Sequence, residues 1–129
     1  MARVLVIEPD EGLRPAVEAE LRREGHRPRW VADDGEALAE FDRGTPDAVI
    51  LDLASQQMDA PGLMRQILAR DPRLPLVIFT DDPARQDDPQ AWAADAFVLK
   101  HAEPSHLARA VRDTLEARWG SLADSVLPL

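Results

Sequence analysis

The chain of 129 residues carries 15 Lys plus Arg against 24 Asp plus Glu, a net charge of −9, with 45% hydrophobic and 30% charged residues. That length suits one domain with a real core, and so acidic a balance argues against direct nucleic-acid binding, which wants clustered positive charge. Cysteine is absent, which excludes disulfide and thiolate chemistry; no apolar run approaches a membrane span and no signal peptide is visible, so a cytoplasmic protein without membrane association is expected.

In chain order, short apolar runs alternate with amphipathic ones. Val4 to Ile7 is an apolar run that ends in "EPDE", Glu8 to Glu11. Leu13, Val17 and Leu21 then recur at four-residue spacing, one face of a helix that Gly25 stops. Arg29 to Ala32 reads as a weaker strand near a sheet edge. Asp33 and Asp34 can cap a second helix carrying Ala37, Leu38 and Phe41, closed by Gly44. Asp47 to Leu53, "DAVILDL", is the strongest strand signal. A loop with Pro61 and Gly62 leads to a third helix with Leu63, Ile67 and Leu68. Leu74 to Thr80 is another buried strand. "DDPARQDDPQ", Asp81 to Gln90, has two prolines and four aspartates, so a short or poorly ordered fourth helix is expected there. "AFVLK", Ala96 to Lys100, is the last strand. The final helix carries Leu107, Val111 and Leu115 along one stripe, with Pro104 near its first turn. A domain over residues 1–119 is expected, with 120–129 a C-terminal tail or the start of a linker.

Continuous apolar strands alternating with helices imply a parallel sheet covered on both faces, a three-layer α/β/α sandwich. In such sheets ligands sit beyond the carboxyl ends of the strands. Glu8, Asp52, Thr80 and Lys100 each end an apolar run, so two acids, a hydroxyl and an amine should converge there. That set suits an anion bridged to a hard divalent cation: carboxylates for Mg²⁺, lysine and hydroxyl for phosphoryl oxygens, and one carboxylate as the nucleophile of an aspartyl phosphate. Each residue also has a plainer reading. Thr80 can open a helical turn and Lys100 can be a solvated strand end. Asp52 resists such a reading, because Leu53 continues the apolar run across it and acids in such runs are seldom buried without a partner. The histidines, His26, His101 and His106, lack metal-ligand spacing. No glycine-rich phosphate loop is present, so a nucleotide enzyme is not expected.

The order of these residues resembles the receiver domain of bacterial two-component response regulators, from about Arg3 to Trp119. The residues that carry it are "VLVIEPDEGLR", "PDAVILDL", Met58-Asp59, "PLVIFT" and "ADAFVLK". The resemblance implies a flavodoxin-like fold with a five-stranded parallel sheet of order 2-1-3-4-5. It implies Asp52 as phosphoacceptor, Thr80 and Lys100 as phosphoryl-contacting residues, and Phe97 as a rotating aromatic switch. It places Mg²⁺ near Glu8, Asp52 and the backbone carbonyl of Ala54, makes a histidine kinase or other signalling protein the partner, and suggests a homodimer through the last strand and last helices.

The chain departs from the family pattern at several points. Pro9 stands where the family has a second acid that ligates Mg²⁺, so Mg²⁺ binding is expected to be weak or absent. The loop "SQQMDA", Ser55 to Ala60, lacks the usual proline and glycine; Asp81 follows Thr80 where a small residue is usual. Lys100-His101 replaces a Lys-Pro pair, and a trans peptide is expected there because cis without proline costs about 3 kcal/mol. Two readings follow, neither of them an enzyme: an atypical receiver with Mg²⁺-dependent phosphorylation of Asp52 controlling a protein–protein surface, or a phosphorylation-independent pseudo-receiver acting as an interaction module. A small phosphatase-like or flavodoxin-like enzyme is disfavoured by the missing glycine-rich or hydroxyl-rich loops.

Overall fold

Unbroken apolar runs become strands that are covered on both faces. In the computed structural model, which describes residues 2–126 except Ala54 and gives only the backbone of Gln90 and of residues 119–126, these are β1 (Arg3–Ile7), β3 (Ala48–Leu51) and β4 (Leu76–Thr80). Every residue of β3 and β4 is buried, and all of β1 except Arg3. The flanking strands β2 (Arg27–Val31) and β5 (Ala96–Leu99) are more exposed and form the two edges. All pairings are parallel and the order is β2-β1-β3-β4-β5. The expected five-stranded flavodoxin-like sheet is therefore present. β2 starts earlier than expected, at Arg27, and so includes Pro28; an edge strand tolerates the missing N–H.

Helices α1 (Arg14–Arg23) and α4 (Pro104–Val126) cover one face, and α2 (Asp34–Arg43) and α3 (Ala60–Arg70) the other. Two apolar clusters result. Val17 and Leu21 meet Leu107, Val111 and Leu115 over Val4, Val6 and Ile50. Phe41, Leu63 and Ile67 pack over Leu5, Ile7, Leu51 and Ile78. Burying each such side chain contributes about 1.5–3 kcal/mol, so these stripes drive the layering more than helix propensity does.

The helix ends follow from single residues. Asp33 caps α2 by accepting from the Glu36 N–H at 2.8 Å. Gly25, at φ +87°, turns the chain after α1 and lets its N–H reach the Arg22 carbonyl while His26 N–H reaches Leu21 O. Asp59 caps α3, which begins at Ala60, so Pro61 and Gly62 lie in its first turn rather than in a preceding loop. The segment after β4 forms two 3-10 turns, Pro83–Asp87 and Pro89–Ala93, in place of a fourth helix. α4 passes through the position of the expected tail and continues to Val126; residues 127–129 lie outside the described residues. No cis peptide occurs among the described residues, so Lys100-His101 is trans.

His101 and His106 are exposed, but His26 is half-buried with both ring nitrogens shielded and without a hydrogen-bond partner. Burial lowers its pKa below the ordinary 6.5. A depressed imidazole binds fewer protons folded than unfolded, so its stabilising effect is present above the ordinary value and lost as pH falls through the lowered one. Chemical denaturation should therefore show a smaller loss of stability from about pH 7 to about pH 5 in His26→Gln than in the parent. A separate expectation concerns the sheet centre: Ile50→Ala, at a fully buried site, should lower unfolding free energy by about 2–5 kcal/mol.

Candidate functional site

The sheet ladder carries its hydrogen bonds one residue past each strand end, and those extra residues are the polar ones. Glu8 N–H donates to Val31 O at 3.0 Å, Asp52 N–H to Ile7 O at 3.5 Å, and Lys100 N–H to Thr80 O at 2.8 Å. Because β1 and β3 pair Ile7 with Leu51, Glu8 and Asp52 emerge side by side. β4 and β5 pair Thr80 with Leu99, so Lys100 arrives from the next strands at the same rim.

There the Lys100 ammonium bridges both acids. Its Nζ donates to Asp52 Oδ2 at 2.9 Å and lies 2.6 Å from Glu8 Oε1. The Glu8 contact is a close ion pair without hydrogen-bond alignment. The other Glu8 oxygen, Oε2, accepts from the Asp10 N–H at 3.1 Å. The cluster is shielded from water: the side chains are 1% exposed for Glu8, 7% for Asp52 and 13% for Lys100. The Phe79 ring lies beneath, its centroid 5.9 Å from Nζ.

Burial is the largest influence on Glu8 and holds its carboxyl above the ordinary carboxylate value, although Lys100 and the Asp10 N–H pull the other way. Burial acts on Lys100 to lower its pKa, but the close contacts and charges of Glu8 and Asp52 outweigh it, so the ammonium is held above its ordinary value. The ammonium stays charged and neutralises part of two acids.

Of the expected site residues, the fold thus gathers Glu8, Asp52 and Lys100. Thr80 is fully buried at the same rim, but its hydroxyl accepts from the Asp82 N–H at 3.3 Å, and that hydroxyl makes no bond to Asp52 or to the Lys100 ammonium among the described residues. Phe97 pairs with Ile78, half-buried against the α2–α3 core, and lines a surface depression with Pro83 and Leu99. The Ala54 carbonyl lies outside the described residues. Sequence reasoning missed the direct Glu8–Lys100 contact; the signal was available in the extra methylene of Glu8, which lets it reach across the rim. It also missed the clamp on Glu8 by the Asp10 N–H.

The acids near the strand end do not act alike. Asp10 is exposed and its Oδ1 accepts from Gly12 N–H at 2.9 Å, capping the 3-10 turn Glu11–Leu13. Pro9 offers no oxygen from its side chain. Among the described residues, no group of three or more His, Cys, Asp and Glu side chains is placed to hold a metal ion. Two carboxylates shared with an ammonium are a poor donor set for Mg²⁺, which wants hard oxygen ligands in near-octahedral geometry.

A doubly wound sheet with an acid–acid–lysine cluster at its strand ends defines a receiver-type fold and pocket. A family model described as "Response regulator receiver domain" matches residues 4–112, and the chain belongs to that family. It is 32% identical over 117 residues to the sensory transduction protein RegX3 of Mycobacterium tuberculosis, covering 89% of this chain and 51% of that protein. The chain spans about half the length of the curated relatives it matches. Among solved structures, NtrX from Brucella abortus superposes with a TM-score of 0.87 at 26% identity, over 96% of this chain and 29% of NtrX. The response regulator TrrA of Thermotoga maritima, solved with Mg²⁺–BeF, gives a TM-score of 0.79 at 26% identity over 88% of this chain and 99% of TrrA. TrrA has also been solved in complex with the histidine kinase ThkA.

Removing the shared cation should be costly. Lys100→Met leaves two buried carboxylates facing each other and should lower unfolding free energy by about 3–5 kcal/mol at neutral pH. Adding Glu8→Gln should restore part of that loss in urea denaturation, since one of the stranded charges is gone.

Proposed function

We propose that this chain is an atypical receiver of a two-component phosphorelay, with Asp52 as phosphoacceptor and Mg²⁺ held weakly or not at all. The observation that supports this reading is the Lys100 ammonium bridging Glu8 and Asp52 where Pro9 removes a third acid. A histidine kinase or other signalling protein would supply the phosphoryl group. An Asp52 oxygen attacks phosphorus, the bond to the donor histidine nitrogen breaks, and the electron pair returns to the imidazole. Lys100 then turns from the carboxylates to the phosphoryl oxygens, and Thr80 leaves the Asp82 N–H to donate its own proton to them. Phe97, three residues before Lys100 on β5, follows the Thr80 shift and changes the surface formed by β5, the 3-10 turns and α4. That surface contacts the partner or a second copy. If Mg²⁺ enters, Glu8, Asp52 and the Ala54 carbonyl would hold it, and its contribution would be charge neutralisation. The reading is that of a cytoplasmic signalling module rather than an enzyme.

Charge opposes modification of Asp52. A phosphoryl group carries about −1.5 to −2, and Glu8 adds a further negative charge in a buried pocket whose only facing ammonium is Lys100. The same bridge thus supports a second reading, a phosphorylation-independent module in which Lys100 serves as a structural ion-pair partner.

Amide NMR with BeF₃⁻ and millimolar Mg²⁺ separates the two. The phosphorylation switch is expected to give saturable shifts around Asp52, Thr80 and Lys100, abolished in Asp52→Asn. No response would leave the interaction module. Pro9→Asp should lower the Mg²⁺ concentration needed by about tenfold or more, as one added carboxylate facing the ion contributes at least about 1.4 kcal/mol.

A further inference from the structure

Three hydrogen bonds converge on Asp82, which stands between the buried rim and the surface turn that follows β4. Its N–H donates to Thr80 Oγ1 at 3.3 Å. Its Oδ1 accepts from the Ala84 N–H at 3.0 Å and its carbonyl from the Arg85 N–H at 3.1 Å, which closes the 3-10 turn Pro83–Asp87. The other carboxylate oxygen, Oδ2, lies 3.6 Å from Arg85 Nε, and Arg85 Nη1 lies 3.6 Å from Asp88 Oδ2. One residue thus holds Thr80 with its amide and the turn with its carboxylate.

The sheet fixes the backbone of Thr80 independently of that turn. Thr80 pairs with Leu99 across β4 and β5, and its carbonyl accepts from the Lys100 N–H at 2.8 Å. Only the hydroxyl contact can therefore change without breaking a strand pairing. The same turn also meets the surface beside Phe97, because Pro83 and Gln86 line a depression with Phe97 and Leu99. A change in the turn is felt on both sides of β5.

Taken singly these contacts are ordinary. A Thr hydroxyl commonly bonds the backbone two residues on, and Asp is a preferred cap of a helical turn. That plain reading does not account for the burial of Thr80. The residue is fully buried, and the proton of its hydroxyl has no acceptor among the described residues. Buried polar groups as a rule use both their donors and their acceptors, and a buried donor left without a partner is costly. The Asp82 N–H therefore fixes the oxygen of a hydroxyl whose proton is left for an acceptor arriving at the rim where Asp52 and Lys100 meet.

We propose that Asp82 is a positioning residue for the Asp52 pocket: by capping the turn it restrains the Thr80 hydroxyl, and the strength of that cap sets how readily Thr80 swings to a phosphoryl oxygen. The proposal rests on the reading of Asp52 as phosphoacceptor. Asp82→Ala loses both the cap and a negative charge, whereas Asp82→Asn loses the charge and keeps a capping oxygen. An effect of the cap therefore appears in the Ala variant alone, and an effect of charge in both. Without ligand, three-bond NMR couplings of Thr80 should report one side-chain rotamer in the parent and in Asp82→Asn, and averaging between rotamers in Asp82→Ala, with the Lys100 amide still protected from exchange. With millimolar Mg²⁺, Asp82→Ala should reach half-saturation at about threefold lower BeF₃⁻ than Asp82→Asn. Adding Thr80→Val to both variants should erase that difference, because the cap acts through the hydroxyl. A single Thr80 rotamer in Asp82→Ala, equal BeF₃⁻ affinities of the Ala and Asn variants, or a difference that persists with Thr80→Val would overturn the proposal alone. No saturable BeF₃⁻ response in any of the chains would overturn the Asp52 reading and the proposal with it.

Discussion

A single ammonium between two buried carboxylates is the interaction on which this pocket rests. Glu8 and Asp52 emerge from adjacent strands of a parallel sheet, and their charges would repel in a site with little water. Lys100 makes their proximity tolerable. An isolated buried charge is expensive, and a buried ion pair is tolerable only when its remaining oxygens and protons find partners. The Asp10 N–H supplies one of those partners by holding the outer oxygen of Glu8. The pocket is therefore charge-organised by the protein's own side chains.

That arrangement depends on the regularity of the sheet. Each polar residue is tied by a backbone bond one step beyond its strand, so its side chain leaves from a fixed point. The apolar clusters on both faces hold those strands in register. Rigid strand ends and a mobile rim are a common division of labour in parallel α/β folds. Here the rim is made of single turns: a 3-10 turn capped by Asp10 after β1, and two more after β4. A 3-10 turn makes poorer hydrogen bonds than an α-helix and is seldom extended, so this rim is built from short, weakly bonded turns.

Pro9, between Glu8 and Asp10, shapes the rim in two ways. Proline takes away a carboxylate and also a backbone N–H, while Asp10, the next acid, is committed to capping Gly12. Glu8 is left as the one acid of the "EPDE" stretch directed into the pocket, and its length lets it span to Lys100. The length of Glu8 and the presence of Pro9 thus act together: one gives this carboxylate its reach to Lys100, the other leaves it without an acidic side chain at the next position.

Much of this was legible in the residues. Unbroken apolar runs ending in Glu8, Asp52, Thr80 and Lys100 specify a parallel sheet with polar strand ends, because strand periodicity and burial are local properties of the chain. The proline-broken Asp81–Gln90 segment likewise announces a weak helix. Other features required the folded chain. Thr80 directs its hydroxyl to Asp82 rather than to the acids because the turn after β4 offers an unsatisfied N–H. α4 extends through Gly120, a residue of poor helix propensity at the start of the expected tail. A surface cavity joins Arg3, Arg27 and Arg29 with Glu40, which no motif connects; strand register and the return of α2 bring them together. The sequence by itself determined the layers, the sheet and the identity of the polar strand ends, since these follow from local patterns of burial. Only the tertiary structure decided which of those groups touch, because ion pairs and cavities depend on angstrom-scale distances between residues far apart in the chain.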